Sequence, residues 1–120
     1  MAYALDIADR KPGERCGTGV RPRISDAAAE RLARQMMLLA NPIRLQLLDV
    51  LLRNAGRVCV CDLEAAVPVK QPTVSHHLKL LRDAGLVDRE QQGLWAYYSV
   101  NGRALDALRG HIVAGLASIG

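Results

Sequence analysis

Phenylalanine is absent from this 120-residue chain, and aromatic residues make up only 3% of it, as Trp95 and three tyrosines. Its core must therefore be built from Leu, Val, Ile and Ala, which are available because half the residues are apolar. No apolar run approaches the ~18 residues that a membrane span requires, so no membrane partner is expected. The opening MAYALDIADRKPGERCG has early acids and no long apolar stretch. A secretory signal is not expected there, and a cytoplasmic location is. Cysteine is scarce as well, limited to Cys16, Cys59 and Cys61. Three thiols in that compartment read as thiolates or ligands rather than as a disulfide framework. Acidic residues are outnumbered 12 to 16 by basic ones, for a net charge of +4. That balance suits a polyanionic partner without requiring one. Repeats and low-complexity segments are missing, and the length corresponds to one domain.

What is present is concentrated between Cys59 and Val100, in CVCDLEAAVPVKQPTVSHHLKLLRDAGLVDREQQGLWAYYSV. Asp62 to Val67 read as a short amphipathic helix with Leu63 and Val67 at i, i+4. Pro68 to Lys70 interrupt it, because proline has no amide donor and clashes with the preceding turn. Gln71-Pro72 opens a second helix, with proline at a position where its missing N–H costs nothing. Val74, His77, Leu78 and Leu81 fall on one face of that helix, and Gly85 is placed to end it. Two helices joined by a short turn, the second polar at its start, form a helix-turn-helix pattern. Leu86–Glu90 and Leu94–Val100 are strand-like, with Gln91-Gln92-Gly93 as the hairpin turn. The fold class expected is mainly α with a small β-hairpin, a winged helix-turn-helix.

These residues carry a resemblance. QPTVSHHLKLLRDAGLV, followed by a wing ending in YYSV, resembles the ArsR/SmtB metal-sensing repressors, and the preceding CVCDL resembles their arsenic- and cadmium-sensing branches. The likeness extends from about Ala28 to Val100. It implies a repressor that binds double-stranded operator DNA as a homodimer, and no enzyme.

Around that segment, residues 1–24 have little periodicity and read as a flexible arm whose distinctive residue is Cys16. Residues 25–120 read as the DNA-binding and dimerisation domain. Ser25 or Asp26 can cap a helix to about Ala40, with Leu32, Met36 and Leu39 on one stripe. Asn41-Pro42 opens another, to about Asn54, whose wide apolar surface includes Leu45, Leu48 and Leu52. Arg57–Val60 is short and β-prone and can pair beside the wing. Asn101 caps a last helix carrying Leu105, Leu108, Ile112, Val113 and Leu116. The first and last helices read as a dimer seam, the arrangement the resemblance also implies.

For reading DNA, the candidates are Gln71, Thr73, Ser75, His76 and Lys79, mostly turned away from the apolar stripe. Gln pairs bidentately with adenine in the major groove, and Ser or Thr with several bases. The free amides at such a helix start also suit phosphate. Lys70, Lys79, Arg82, Arg57 and Arg89 can contact phosphate, which positions rather than specifies. Adjacent His76 and His77 point ~100° apart on a helix and cannot readily share one ion. His77 belongs with the packing residues and His76 with the outward face.

For sensing, Cys59 and Cys61 are two apart and project to one side if extended. Thiolates select soft ions. In arsenic-sensing relatives with this motif a third cysteine stands where this chain has Glu64, whereas relatives of the cadmium- and lead-sensing type add an N-terminal cysteine, the place Cys16 can fill. Three sulfurs favour As(III) or Sb(III) as effector; Cd(II), Pb(II) or Zn(II) are the alternative, and cadmium and zinc prefer a fourth ligand. The other site used in the family, an Asp and a His two apart on the last helix, is not expected here, since Asp106 is followed by Ala107-Leu108 and His111 stands alone. A thiol redox switch is a further rival, though a direct bridge at this spacing is strained. A thiol enzyme with His76 or His77 as base lacks any accompanying substrate site.

Overall fold

The computed structural model describes residues 19–54 and 57–120. Over these the order is α1 (Asp26–Leu39), α2 (Pro42–Arg53), β1 (Val58–Cys59), α3 (Val60–Ala66), α4 (Gln71–Asp83), β2 (Val87–Gln92), β3 (Trp95–Val100) and α5 (Gly102–Ala117). Cys16 and most of the expected arm lie outside the described residues. None of the described helices is long and apolar enough to cross a membrane.

Side-chain caps set three of the helix starts by satisfying amides that the helix itself leaves free. Ser25 Oγ accepts from Ala28 N at 3.1 Å. Asn41 Oδ1 accepts from Ile43 N and Arg44 N at 2.9 and 3.2 Å, with Pro42 as first helical residue. Asn101 Oδ1 accepts from Ala104 N at 3.2 Å. Between α3 and α4, Val67 is extended (φ −123°, ψ 149°), as a residue before proline must be. At the end of α4, Gly85 at φ +79° lets its own amide reach Arg82 O and that of Leu86 reach Leu81 O, both at 2.9 Å. This paired termination needs a residue free to adopt the left-handed conformation.

Two boundaries differ from the sequence reading. The helix expected from Asp62 begins at Val60, so Cys61 lies in its first turn and only Cys59 is extended. The cause is a third apolar residue: Val60, Leu63 and Val67 all pack on the core, and helical backbone from Val60 brings them to one face. The hairpin turn is not Gln91-Gln92-Gly93 but the two residues Gly93-Leu94, because β2 keeps pairing through Gln92↔Trp95. Gly93 takes φ +61° at the first central position, the type II′ requirement, and Leu94 does not need positive φ.

The strands form one antiparallel sheet in the order β1-β3-β2. Its inner face presents Val58, Val87, Ala96 and Tyr98 to a core made by Leu47, Leu48 and Leu51 of α2, Leu63, Val74, Leu78 and Leu81, with Leu105 and Leu108 of α5. Helix α1 packs on α5, with Leu32 buried. On that helix pair Met36, Met37, Val113 and Leu116 remain exposed, as do Leu45 and Leu52 on α2.

Among the described residues one polar side chain is buried, His77 of α4. Arg44 of α2 donates from Nη1 to His77 Nδ1 at 3.3 Å and from Nη2 to the Met37 carbonyl at 3.1 Å. One guanidinium thereby joins the end of α1, the start of α2 and the middle of α4. A ring that accepts at Nδ1 must be neutral there. Burial first, then Arg44 and His76, hold its pKa below the ordinary 6.5. The unfolded chain therefore takes up a proton before the folded one as pH falls. Stability contributed by the neutral ring is intact above about pH 6.5 and declines below it. Urea midpoints should fall between pH 7 and pH 5, and His77→Gln should flatten that slope. Leu78→Ala, at a fully buried site, should cost about 2–5 kcal/mol at any pH.

Candidate nucleic-acid interface and thiolate pair

Helix α4 divides cleanly. Val74, His77, Leu78 and Leu81 are buried, while Gln71, Thr73, Ser75, His76, Lys79 and Arg82 are exposed. Packing against α2 and α3 fixes the inner face and leaves the outer one free along the helix. Lys70, at the N-cap, is exposed and supplies no side-chain cap. Its carbonyl takes the amides of Thr73 and Val74 at 3.0 and 3.2 Å, and Pro72 has none to offer. The free amides expected at this helix start are thus reduced, and phosphate binding would fall to side chains.

The basic residues differ in how free they are. Lys79 Nζ lies 2.7 Å from Asp83 Oδ2, one turn on, and this bond holds the Asp83 carboxyl below the usual carboxylate range. Such exposed pairs are weak and readily exchanged for another anion. Arg89, on the wing strand β2, donates to Gln91 Oε1 at 2.7 Å. Arg57 is engaged with Glu90 and lies over the Tyr97 ring. The wing tip is more apolar than the sequence reading allowed for: Leu94 is 94% exposed and Trp95 55%. Arg44 was also missed, since a lone arginine in an apolar helix carries no pattern that announces its partner on α4.

The two cysteines meet at the junction of β1 and α3. Cys59 ends the strand and caps the helix without a side-chain bond, and Cys61 lies one residue into that helix. Their sulfurs are 2.8 Å apart, both thiols free. Convergence survives although Cys61 is helical, because the chain turns between them. Cys61 is exposed, and its thiol pKa is raised, chiefly by the hydrogen bond with Cys59. A soft cation that bound both sulfurs would displace their protons.

Among the described residues no group of three or more His, Cys, Asp or Glu side chains converges as a metal site. Glu64 stands half-buried on α3 with Oε1 buried and unpartnered, but it does not complete a set with the cysteines. On α5, Asp106 pairs with Arg109 at 3.2 Å and His111 is exposed. The Cys59–Cys61 pair is the one soft donor set among the described residues.

The model for "Bacterial regulatory protein, arsR family" matches residues 41–89, from the cap of α2 into β2. A putative arsenical resistance operon repressor, ArsR2, of Halobacterium salinarum is 42% identical over 93 residues, covering 72% of this chain and 77% of the relative. The arsenical resistance operon repressor of Bacillus subtilis is 40% identical over 70 residues, 58% of this chain and 66% of its own length. Among solved structures, a possible transcriptional regulator for arsenical resistance superposes with a TM-score of 0.61 at 31% identity, over 67% of this chain and 81% of that one. The AntR antimony-specific transcriptional repressor gives 0.58 at 30% identity, over 83% and 94%. With a helix-turn-helix and wing of the same build, this chain belongs to the arsR family of bacterial regulatory proteins, DNA-binding transcriptional repressors.

Proposed function

We propose that this repressor holds its operator as a homodimer and releases it when As(III) or Sb(III) is bound by Cys59, Cys61 and Cys16. The observation that carries the proposal is the pair of free sulfurs 2.8 Å apart at the β1–α3 junction. Helix α3 packs on α4, so a change at the pair bears directly on the helix that reads DNA. Relatives named as arsenical and antimony repressors support the choice of ion. A relative named as a homolog of the repressor SmtB, 42% identical over 72 residues, favours the second reading, in which Cd(II), Pb(II) or Zn(II) is the effector. Ion and operator share one coupling free energy, felt equally at both sites.

In this reading Gln71, Thr73, Ser75 and His76 enter the major groove, and Lys70, Lys79, Arg82 and Arg89 meet phosphates. The exposed apolar residues of α1 and α5 are the support for a dimer, since a helix pair that already packs within one protomer still leaves Met36, Met37, Val113 and Leu116 uncovered. Two such protomers would protect an imperfect inverted repeat with half-site centres about one helical turn apart, or a multiple of it.

Fluorescence anisotropy on a duplex selected from random sequence by the wild-type protein tests the reading head. Gln71→Ala should relax preference at one base position, costing about 1–3 kcal/mol. Lys79→Ala or Arg89→Ala should weaken all sequences alike and lower the salt slope by about 1. Equal losses on every duplex with Gln71→Ala would remove it from base recognition.

For the sensor, Cys59→Ser and Cys61→Ser should each bind the duplex normally and fail to release it with arsenite. A variant that cannot bind DNA even without arsenite marks that cysteine as structural. Cys16→Ser should bind DNA and respond weakly, with X-ray absorption changing from three sulfur neighbours of arsenic to two plus a lighter atom. Three sulfurs retained in Cys16→Ser would place the third ligand elsewhere.

A further inference from the structure

Arg57 is turned toward the wing sheet. It stands two residues before Cys59, and its Nη1 donates to Glu90 Oε2 on β2 at 2.7 Å. The guanidinium carbon lies 5.6 Å from the centroid of the Tyr97 ring on β3. Strand register explains how one side chain joins three strands. Cys59 pairs with Tyr97, and Tyr97 pairs on its other edge with Glu90, so these residues form one rung across β1, β3 and β2. Arg57 runs alongside that rung, passes over the central strand and reaches the third. Gln92 holds the same carboxylate from its other oxygen, Nε2 to Oε1 at 3.2 Å.

An ion bonded to both cysteines changes the distance between them. With metal–sulfur bonds of about 2.3 Å and an angle near 90–110°, the sulfurs sit roughly 3.3–3.8 Å apart. They start at 2.8 Å. Side-chain rotation absorbs part of this difference, and because Cys59 belongs to the sheet and Cys61 to α3, what remains is borne between β1 and α3. Strand β1 is held to the wing by only two paired residues, Val58 and Cys59. Without a further tie it could shift while the wing stays in place.

We propose that Arg57 is the positioning residue that carries ion capture at Cys59 and Cys61 to the wing, by clasping Glu90 across Tyr97 so that β1 and the wing move as one body. This rests on the thiolate reading above, and it gives Arg57 a different role from phosphate contact. An exposed ion pair and an exposed arginine–aromatic contact each contribute little to stability. The clasp therefore matters as a link with a direction, and its loss should leave the fold standing.

The test uses the full chain, arsenite as the probe, and Trp95 as the reporter. Trp95 is the chain's one tryptophan and lies two residues before Tyr97 on β3, hence on the same sheet face. In the wild type, arsenite should consume the reactive thiols, change Trp95 emission and lower affinity for the selected duplex. In Arg57→Gln and in Glu90→Gln the thiols should be consumed with the same stoichiometry while the Trp95 change is lost. The ratio of duplex affinities without and with arsenite should fall at least about threefold in both, and Glu90→Gln should keep its arsenite-free affinity within about twofold. The exchanged pair Arg57→Glu with Glu90→Arg should restore the ratio, which a merely structural defect would not allow. Wild-type ratios in both single variants overturn the proposal. So does an Arg57→Gln variant that loses affinity and salt dependence at an unchanged ratio, since that is a phosphate contact. If wild-type thiols ignore arsenite, the thiolate reading itself fails, before any variant is made, and the clasp falls with it.

Discussion

The outer face of α4 is usable only because its inner face is held from beneath. A helix of this length is marginal alone in water, and its order comes from burying one side. Val74, His77, Leu78 and Leu81 provide that side, against α2 and α3. One member of the set is polar, and burying a ring nitrogen without a partner would cost much of what its apolar neighbours contribute. Arg44 prevents this, at the expense of its own Nε, which is buried without a partner. The resulting contact is directional where the leucines are not. It adds one point of register between α2 and α4 to the apolar packing that turns the other face outward.

The thiolate pair sits at the opposite kind of place. Helix α3 has seven residues and no side-chain cap, so little intrinsic to it resists movement at its first turn. Its hold on the molecule is tertiary, through Val60, Leu63 and Val67. Helix α4 is thus held by a full buried stripe and the Arg44 contact, while the segment carrying the cysteines rests on three apolar side chains and a two-residue strand. That asymmetry suits the proposed release, in which the outer face of α4 stays formed while the neighbouring junction takes up an ion.

Much of this was legible in the sequence for identifiable reasons. The helix starts at Ser25, Asn41 and Asn101 were readable because each cap is a local affair of three or four residues. The buried stripe of α4 and the end at Gly85 followed from periodicity and from the one residue type that tolerates positive φ. The start of α3 was misplaced because Val60 lies beside the β-prone Val58-Cys59, and only the core decides which state it joins. The wing turn was misplaced by two residues, since Gln91 and Gln92 have weak strand preference and are held by pairing with Ala96 and Trp95. What sequence could not supply were contacts between distant side chains. Arg44 with His77, and Arg57 with Glu90, are each 33 residues apart. Cys59 and Cys61 were found by spacing, yet their approach depends on a turn between strand and helix that spacing did not foresee.

Leu86 shows how little slack the chain keeps between its working parts. Its amide bonds Leu81 O, at the close of α4, and its carbonyl accepts from Asn101 N at 2.8 Å, at the cap of α5. A single residue therefore ties the end of α4 to the start of α5, with Val87↔Val100 closing the sheet beside it. An added or deleted residue between 84 and 86 would move Leu86 away from Leu81 O or Asn101 N and break this double tie. Length variation has to be absorbed elsewhere. The exposed Gly93-Leu94 tip, where β2 and β3 can lengthen together, is such a place. Added residues should therefore be tolerated at the wing tip of this chain and not at its Gly85-Leu86 corner.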